Sequence, residues 1–300
     1  MLGSLKGRDF LSLKDYSKEE IYGLLKFAAE LRKDNKQYLK GKVLGMIFAK
    51  NSTRTRISFE VGMLELGGHA IFLSDRDIQL ARGETIADTA RVLSRYLDGI
   101  MIRTFSQGDV EELAKWATIP VINGLTDYDH PCQALADLLT IKDSFGTLSG
   151  KLAYIGDGNN MATALIFACA KVGMEIAVAS PEGFQPDNEI VEYAKKIGGK
   201  VLVTADPAEA ARGANVLYTD VWTSMGQEEE MEKRRKAFAG YQVNEKLMEL
   251  ADPKAIFLHC LPAHRGEEVT DQVIEGHQSR VFDQAENRLH AQKAVLAALL

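Results

Sequence analysis

Cysteine is scarce in this sequence, since its 300 residues include only Cys132, Cys169 and Cys260. An odd and widely spaced set provides no disulfide framework, so we expect a reducing compartment, the cytoplasm. No stretch of about 18 uninterrupted apolar residues is present, which argues against a membrane span. The first fifteen residues mix charged side chains with leucines, and we therefore expect no signal peptide.

Basic residues are also outnumbered, because 36 lysines and arginines stand against 42 aspartates and glutamates and give a net charge of -6. This balance argues against a general nucleic-acid-binding protein, so any phosphate site must be a local cluster of basic residues. The chain contains 46% hydrophobic and 26% charged residues, a composition typical of globular proteins. Its length of 300 residues fits one large domain or two ordinary ones.

Short apolar runs alternate with amphipathic segments along the whole chain. This alternation predicts an α/β protein with two doubly wound parallel-sheet domains that carry helices on both faces. A polar break at residues 146–150 places the domains at 1–146 and 147–284, and the final helical segment, 285–300, is expected to pack back on the first domain. The predicted strands are 43–49, 70–73, 99–103, 121–122, 152–155, 175–179, 200–203, 216–219 and 255–258. The predicted helices are 54–66, 85–96, 110–116, 131–145, 160–171, 188–197, 227–238, 244–250 and 285–300, after a first one that begins at the capping box Ser17-Lys18-Glu19-Glu20.

The segment Ser52-Thr53-Arg54-Thr55-Arg56 stands between a predicted strand and a predicted helix. Its hydroxyl groups and backbone N–H groups meet at one helix N-terminus, where the helix dipole favours an anion. The planar guanidinium of Arg54 fits phosphate oxygens. The segment therefore indicates a phosphate site, although a Ser/Thr N-cap followed by two solvated arginines explains the same residues.

Two further polar positions lie at the edge where open parallel sheets bind ligands. Arg103 ends a predicted strand, where it faces the crevice or forms a surface salt bridge. His130-Pro131-Cys132-Gln133 opens a helix, because Pro131 suits the first helical position and leaves His130 and Gln133 at the helix mouth. A lone histidine is usually structural, but at this place it is a candidate hydrogen-bond donor to a substrate carbonyl.

In this order, the Ser-Thr-Arg-Thr-Arg segment, the strand-end arginine and the His-Pro-x-Gln motif resemble the carbamoyl-phosphate half of the aspartate/ornithine carbamoyltransferase family. The resemblance implies that the phosphate is held by Ser52, Thr53, Arg54 and Thr55. It implies further that Arg103 and His130 meet the carbonyl oxygen and that Gln133 holds the carbamoyl amide.

Two other residues enter the carbamoyl-phosphate site only through this resemblance. Gln79 matches the family's loop residue that reaches into a neighbouring subunit, and Arg288 resembles the family's late arginine. A residue supplied by a neighbour implies a homotrimer or a multiple of trimers.

The second half carries two motifs that resemble those of the ornithine-using members. Asp220-Val221-Trp222-Thr223-Ser224-Met225-Gly226 and His259-Cys260-Leu261-Pro262 each follow a predicted strand. Asp220 supplies a negative charge for an α-ammonium group, and Asn160, Ser224 and Met225 complete the ornithine site. The resemblance implies that Cys260 and Leu261 line the position of the reacting δ-amine and the carbamoyl group.

Other interpretations of the second half are weaker. Gly156-x-Gly158 is similar to a dinucleotide loop, but Met161 stands where the third glycine belongs. His259, Cys260 and His264 match no strong zinc pattern. A covalent role for Cys260 is unnecessary, since an amine can attack an activated acyl phosphate directly. The charged segment 227–236 is expected to be a solvated helix face.

The sequence therefore predicts transfer of the carbamoyl group of carbamoyl phosphate to the δ-amine of L-ornithine, which gives L-citrulline and phosphate. The candidate catalytic residues are Arg103, His130, Gln133 and Cys260. The alternatives are an acceptor such as putrescine or an N-acylated ornithine, a non-catalytic carbamoyl-phosphate-binding subunit, and a nicotinamide-dependent dehydrogenase. The resemblance implies a place in arginine biosynthesis and no metal or organic cofactor. With the two half-sites on different domains, we expect domain closure on binding. The acidic charge balance and the absence of a long apolar run predict neither a nucleic-acid nor a membrane partner.

Overall fold

The computed structural model describes residues 2–34, 36–224, 226 and 228–300. Contacts divide the chain into two compact units: the first runs up to Leu139 and takes in Glu286–Leu300, and the second is Thr140–Ala285. The division falls inside a helix rather than at the polar break that follows it. Among the described residues, no helix is both long and apolar enough to span a membrane.

The first unit is built on a parallel sheet. Its elements are α1 (Lys18–Leu31), β1 (Val43–Phe48), α2 (Thr53–Glu65), β2 (His69–Ser74), α3 (Ile86–Leu93), β3 (Gly99–Arg103), α4 (Gln107–Trp116), β4 (Val121–Leu125) and α5 (Pro131–Phe145), whose last residues belong to the second unit. The strand order is β2-β1-β3-β4. Because β1 pairs with β2 on one side and β3 on the other, the switch point at which open sheets bind ligands lies between β1 and β3.

Local chemistry sets the start of α1. The Ser17 hydroxyl accepts a hydrogen bond from the Glu20 N–H at 3.2 Å, and the Glu20 carboxylate accepts one from the Ser17 N–H at 2.9 Å. These two bonds satisfy N–H groups that a helix start leaves without partners. The helix then buries an apolar face that includes Ile21, Leu24 and Leu25.

The end of the chain packs on the first unit, as predicted. The last helix, α12 (Val281–Leu299), begins four residues earlier than expected, and its part from Glu286 onward belongs to this unit. The Lys293 ammonium donates to the Leu31 carbonyl at 3.2 Å and to Glu65 at 2.6 Å. The Leu299 carbonyl accepts from the Gly7 N–H at 2.9 Å.

The second unit contains another parallel sheet, in the strand order 7-6-5-8-9. Its elements are β5 (Lys151–Ile155), α6 (Asn160–Val172), β6 (Glu175–Ala179), α7 (Asn188–Lys196), β7 (Lys200–Thr204), α8 (Pro207–Ala211), β8 (Val216–Thr219), α9 (Met231–Ala237), α10 (Glu245–Leu250), β9 (Ile256–His259), α11 (Asp271–Ile274) and the start of α12. The switch point lies between β5 and β8, which pair directly. The loops after these two strands therefore meet at one edge of the sheet.

The predicted class, two parallel-sheet α/β domains, is confirmed, and the predicted strands end within three residues of the observed ones. The short helices α8 and α11 are not among the predicted helices, because a segment of four or five residues is too short to show a helical periodicity. The helix predicted from Gln227 starts at a residue outside the described ones. In the described part, a 3-10 turn at Glu228–Glu230 precedes α9.

Candidate active site

The N-terminus of α2 combines the two interpretations of the Ser-Thr-Arg-Thr-Arg segment. The Ser52 hydroxyl oxygen accepts a hydrogen bond from the Thr55 N–H at 3.2 Å, so Ser52 is the N-cap. Its hydroxyl proton can still be donated to a ligand. The remaining N–H groups of the first helical turn have no partner within the helix. An N-cap and an anion site are therefore compatible here.

The two arginines of this segment have different surroundings. Arg56 pairs with Glu60 at 2.9 Å and lies over the Phe72 ring, with its guanidinium carbon 3.9 Å from the ring centroid. Arg54 is half-buried and close enough to His130 for its charge to influence that imidazole. Of the two arginines, Arg54 is therefore the one whose charge acts near the cluster described next.

A buried cluster of polar side chains gathers at the switch point of the first sheet. Arg103 is opposite Phe48 in the strand register, so β3 ends beside the start of α2. The Arg103 guanidinium donates to the Thr55 hydroxyl at 3.4 Å, and the Arg288 guanidinium donates to the same oxygen at 3.2 Å. Arg103 is buried, so its alternative interpretation as a surface salt bridge is wrong.

Arg288 extends this cluster to α5. Its Nη1 donates to the Gln133 amide oxygen at 2.7 Å. The sequence separation is 155 residues, and only the folding of the last helix onto the first unit brings the two together. Four predicted site residues of the first unit, Thr55, Arg103, Gln133 and Arg288, thus form one hydrogen-bonded group.

His130 lies at the start of α5 with 5% of its surface exposed. Burial, followed by the charges of Arg288, Arg103 and Arg54, lowers its pKa well below the ordinary value. The imidazole is therefore neutral near pH 7 and carries one N–H donor. Its Nδ1 is buried and has no hydrogen-bond partner within the described part of the chain, a rare condition for a buried polar atom unless a ligand or water binds there.

Two predicted residues lie apart from this cluster. Thr53 is exposed at the start of α2. Gln79 is exposed on a 3-10 helix, Gln79–Arg82, and takes no part in the hydrogen bonds of the cluster among the described residues. The place of Gln79 in a neighbouring subunit's site, which the resemblance implies, stays a prediction.

In the second unit, Asp220 follows β8 and is buried. Its carboxylate accepts hydrogen bonds from the Val221 N–H at 2.8 Å, from the Cys260 thiol at 3.0 Å and from the Asn159 amide at 3.3 Å. Asn159 was not singled out from the sequence, although an asparagine directly before a helix is a recognisable N-cap. Its side-chain oxygen accepts from the Met161 N–H at 2.9 Å.

The other predicted ornithine-site residues flank this carboxylate along the chain. Asn160 is the first residue of α6, next to Asn159, and Ser224 is four residues beyond Asp220; both are half-buried. Met225 lies outside the described residues. Cys260 follows β9 and forms no disulfide among the described residues, and Leu261 adopts a left-handed backbone with φ of 57°.

The ligand atoms of Asp220, His259 and Cys260 lie within 4.8 Å of one another, which tests the metal interpretation. Both nitrogens of His259 are already engaged. Nδ1 accepts from the Leu261 N–H at 2.8 Å, and Nε2 lies 3.1 Å from the buried Glu268 carboxylate. With Nδ1 accepting, Nε2 is the donor, so His259 has no lone pair left for an ion.

Close packing, rather than nucleotide binding, explains why residue 158 is a glycine. A Cβ at this position would lie 2.2 Å from the Pro186 nitrogen and 2.3 Å from the Gln185 carbonyl carbon. The Gly158 N–H also donates to the Phe184 carbonyl at 2.7 Å. The second glycine of Gly156-x-Gly158 therefore accommodates a neighbouring backbone segment.

Arg234 corrects the interpretation of the charged segment 227–236 as a solvated face. Its side chain is buried, and Nη1 donates to the Asp157 carboxylate at 2.7 Å and to the Trp222 carbonyl at 3.0 Å. Arg234 also pairs with Glu230, four residues before it, at 3.2 Å. A spacing of four residues shows Arg234 and Glu230 on one helix face, but no local pattern reveals a partner 77 residues away.

Both halves of the chain match models of one protein family. The model described as the carbamoyl-P binding domain of aspartate/ornithine carbamoyltransferase matches residues 8–143, and that of the Asp/Orn binding domain matches residues 149–299. The ornithine carbamoyltransferase of Symbiobacterium thermophilum is 62% identical over 307 residues, which cover 99% of each chain.

Solved structures agree with these sequence matches. The ornithine carbamoyltransferase of Pyrococcus furiosus gives a TM-score of 0.95 at 55% identity, covering 98% of this chain and 97% of its own. The anabolic ornithine carbamoyltransferase of Campylobacter jejuni gives 0.93 at 44% identity, covering 96% and 97%.

Proposed function

Since the chain belongs to the aspartate/ornithine carbamoyltransferase family, we propose that it transfers the carbamoyl group of carbamoyl phosphate to the δ-amine of L-ornithine. The observation that carries this proposal is that Arg103 and Arg288 converge on the Thr55 hydroxyl, while the charges of Arg288, Arg103 and Arg54 also act on the buried, neutral His130. Three guanidinium groups around one neutral N–H donor suit a dianionic phosphate joined to a polar carbonyl.

The donor half uses electrostatic preorganisation. The phosphate binds at the N-terminus of α2, against Arg54, the hydroxyl groups of Ser52, Thr53 and Thr55, and the backbone N–H groups. Arg103 and His130 donate to the carbonyl oxygen, which gains negative charge when the amine attacks. Donors that are already fixed stabilise this charge more than they stabilise the ground state, and so they lower the barrier.

The acceptor half orients ornithine. Asp220 pairs with the α-ammonium group, while Asn160, Ser224 and Met225 contribute further contacts. The neutral δ-amine, beside Cys260 and Leu261, forms a new N–C bond with the carbonyl carbon. The bond from that carbon to the phosphate oxygen then breaks, and the leaving phosphate takes the proton lost by the amine. The products are L-citrulline and phosphate.

We propose further that this synthesis of citrulline serves arginine biosynthesis in the cytoplasm. The anabolic designation of the Campylobacter jejuni relative supports this direction. Cys132, Cys169 and Cys260 all lie among the described residues and form no disulfide there, which suits a reducing compartment.

A homotrimer, or a multiple of trimers, completes the site through Gln79 of a neighbour. Exposed apolar side chains on α2 and β2 support self-association of the first unit: Ile57, Leu64 and Ile71 are 51%, 69% and 45% exposed. A mixing experiment tests the shared site. Arg54→Ala and Gln79→Ala chains, each of low activity alone, should regain activity when they are dissociated and reassembled together. Mixtures no more active than the separate variants would contradict the proposal.

The proposed reaction is tested by the formation of citrulline from carbamoyl phosphate and candidate amines. L-Ornithine should be used, whereas putrescine and N-acetylornithine should not, because neither presents a free α-amino acid to Asp220. Arg54→Ala should abolish turnover at ordinary carbamoyl phosphate concentrations. Folded protein that forms no citrulline would defeat the proposal.

A further inference from the structure

Gln133 and Asp137 lie four residues apart on α5, and therefore on one face of the helix. The Gln133 amide nitrogen donates to the Asp137 carboxylate at 2.8 Å. At its other end, the Gln133 amide oxygen accepts from Arg288 at 2.7 Å. Gln133 and Asp137 are 1% and 0% exposed. Because a carboxylate only accepts and a guanidinium only donates, the two neighbours permit one orientation of this amide.

We propose that Asp137 is a positioning residue, which holds the Gln133 amide oxygen toward the carbamoyl group and thereby selects a carbamoyl donor. The inference rests on the proposed function. The amide oxygen has two lone pairs, of which Arg288 occupies one. The other accepts an N–H of the carbamoyl NH2 group. Acetyl phosphate carries a methyl group at that place and gains no such bond.

The opposite end of the amide is held by a rigid partner. Arg288 also donates to the Thr55 hydroxyl at 3.2 Å. The Gln292 amide, with its oxygen toward Arg288, accepts from Nη2 at 2.9 Å and from Nε at 3.3 Å, while its nitrogen donates to Ser58 at 2.5 Å. Arg288 is therefore held independently of Gln133, so it fixes the amide from the oxygen side while Asp137 fixes it from the nitrogen side.

Asp137→Asn replaces the obligate acceptor with a side chain that can also donate. The Gln133 amide nitrogen then no longer faces a partner that can only accept, so the amide is held from the Arg288 side alone and its oxygen is aimed less well at the carbamoyl NH2 group. A site that recognises its substrate by accepting an N–H loses affinity for that substrate when the accepting oxygen is no longer held in position. We expect the KM for carbamoyl phosphate to rise about tenfold. The inhibition constants of acetyl phosphate and inorganic phosphate should change less than about twofold, since neither bonds to Gln133.

A double-mutant cycle separates positioning from general loss of structure. In a Gln133→Ala background, Asp137→Asn should leave the KM for carbamoyl phosphate unchanged, because the residue through which it acts is absent. An equal loss of affinity for all three phosphate compounds would overturn the proposal. So would an Asp137→Asn effect that persists in the Gln133→Ala background.

Asp137→Ser provides a second variant if Asp137→Asn does not fold. Its hydroxyl is smaller than the carboxylate and, like the asparagine amide, both donates and accepts. The comparison of the three phosphate compounds and the double-mutant cycle with Gln133→Ala are then repeated with this variant. Failure of the proposed function is distinct from failure here, because it is seen in the unsubstituted protein, which would form no citrulline.

Discussion

The Cys260 thiol lies 3.0 Å from the Asp220 carboxylate and donates a hydrogen bond to it. A thiol in this arrangement keeps its proton, whereas a nucleophilic cysteine needs the thiolate. The carboxylate also accepts from Val221 and Asn159, so its position is fixed from three sides. Cys260 thus belongs to the network that orients Asp220, and the chemistry requires no covalent intermediate on sulfur.

Cys260→Ser therefore tests the role of the sulfur. A serine hydroxyl can donate the same hydrogen bond to Asp220, and we expect kcat to fall less than about tenfold. Cys260→Ala removes the donor and should raise the KM for ornithine more than Cys260→Ser does. Initial rates of citrulline formation at varied ornithine check both effects. If Cys260→Ser were as inactive as a variant that lacks Arg54, sulfur would have a chemical role after all.

His130 is expected to act as a neutral donor. Removing one preorganised donor from a developing oxyanion costs about 100-fold or more in kcat, and His130→Ala should show a loss of this size. His130→Asn keeps an N–H donor and should retain more activity. Because burial and the surrounding arginines hold the pKa of His130 well below its ordinary value, kcat should show no titration of this group between about pH 6 and 8.

The pH profile of the unsubstituted protein, compared with that of His130→Asn, checks this assignment. An acid limb with a midpoint near 6.5 that disappears in the variant would mean that His130 takes up a proton in the working range. Burial and the guanidinium groups would then fail to keep it neutral, and the assignment of His130 as a neutral donor would be wrong.

Asp129, the neighbour of His130, is expected to make stability depend on pH. Burial raises its pKa from 3.8 to about 7. The folded protein therefore binds a proton that the unfolded chain releases above pH 4, so the free energy of unfolding falls as pH rises from about 4 to 7. The total loss corresponds to about 4 kcal/mol. Asp129→Asn removes this dependence on pH. The free energy of unfolding of the variant minus that of the unsubstituted protein should therefore be larger at pH 8 than at pH 5.

Urea unfolding at both pH values measures that difference. Glu111→Gln removes the same charge from an exposed position of α4 and is the matched control. If the advantage of Asp129→Asn were the same at pH 5 and pH 8, the carboxyl group of Asp129 would not titrate in this range.

Features of this protein that depend on neighbouring residues could be predicted from the sequence, whereas contacts between residues distant in the chain could not. The end of β3 and the start of α5 at Pro131 follow from local patterns, and the position of Arg103 at the ligand-binding edge of the sheet then follows from the end of its strand. Asp137 and Arg234 were not assigned roles, because each sits in a helical pattern that an ordinary core or surface position also shows. The partner of Arg234 is set by tertiary packing, and the role of Asp137 depends on the orientation of the Gln133 amide. Neither produces a periodic pattern in the sequence.

Arg234 offers a matched pair with the next residue in the chain. Its guanidinium pairs with the buried Asp157 and donates to the Trp222 carbonyl, within the loop that begins at Asp220. Arg234→Met leaves Asp157 buried without this partner, and breaking such a pair costs about 3–5 kcal/mol. Arg235 is half-exposed and pairs with Glu232 and Glu267 at the surface, so Arg235→Met should cost far less.

The same substitution should also affect binding, since the loop loses the hydrogen bond to its Trp222 carbonyl. Arg234→Met should therefore raise the KM for ornithine severalfold at a temperature where the variant is folded, while the KM for carbamoyl phosphate stays nearly constant. Asp157→Asn combined with Arg234→Met should recover part of the lost stability, because no charge is then left buried. It should not recover the affinity for ornithine, since the bond to Trp222 is still missing. A double variant that regains both properties, or neither, would show that the ion pair and the loop contact are not separate functions of Arg234.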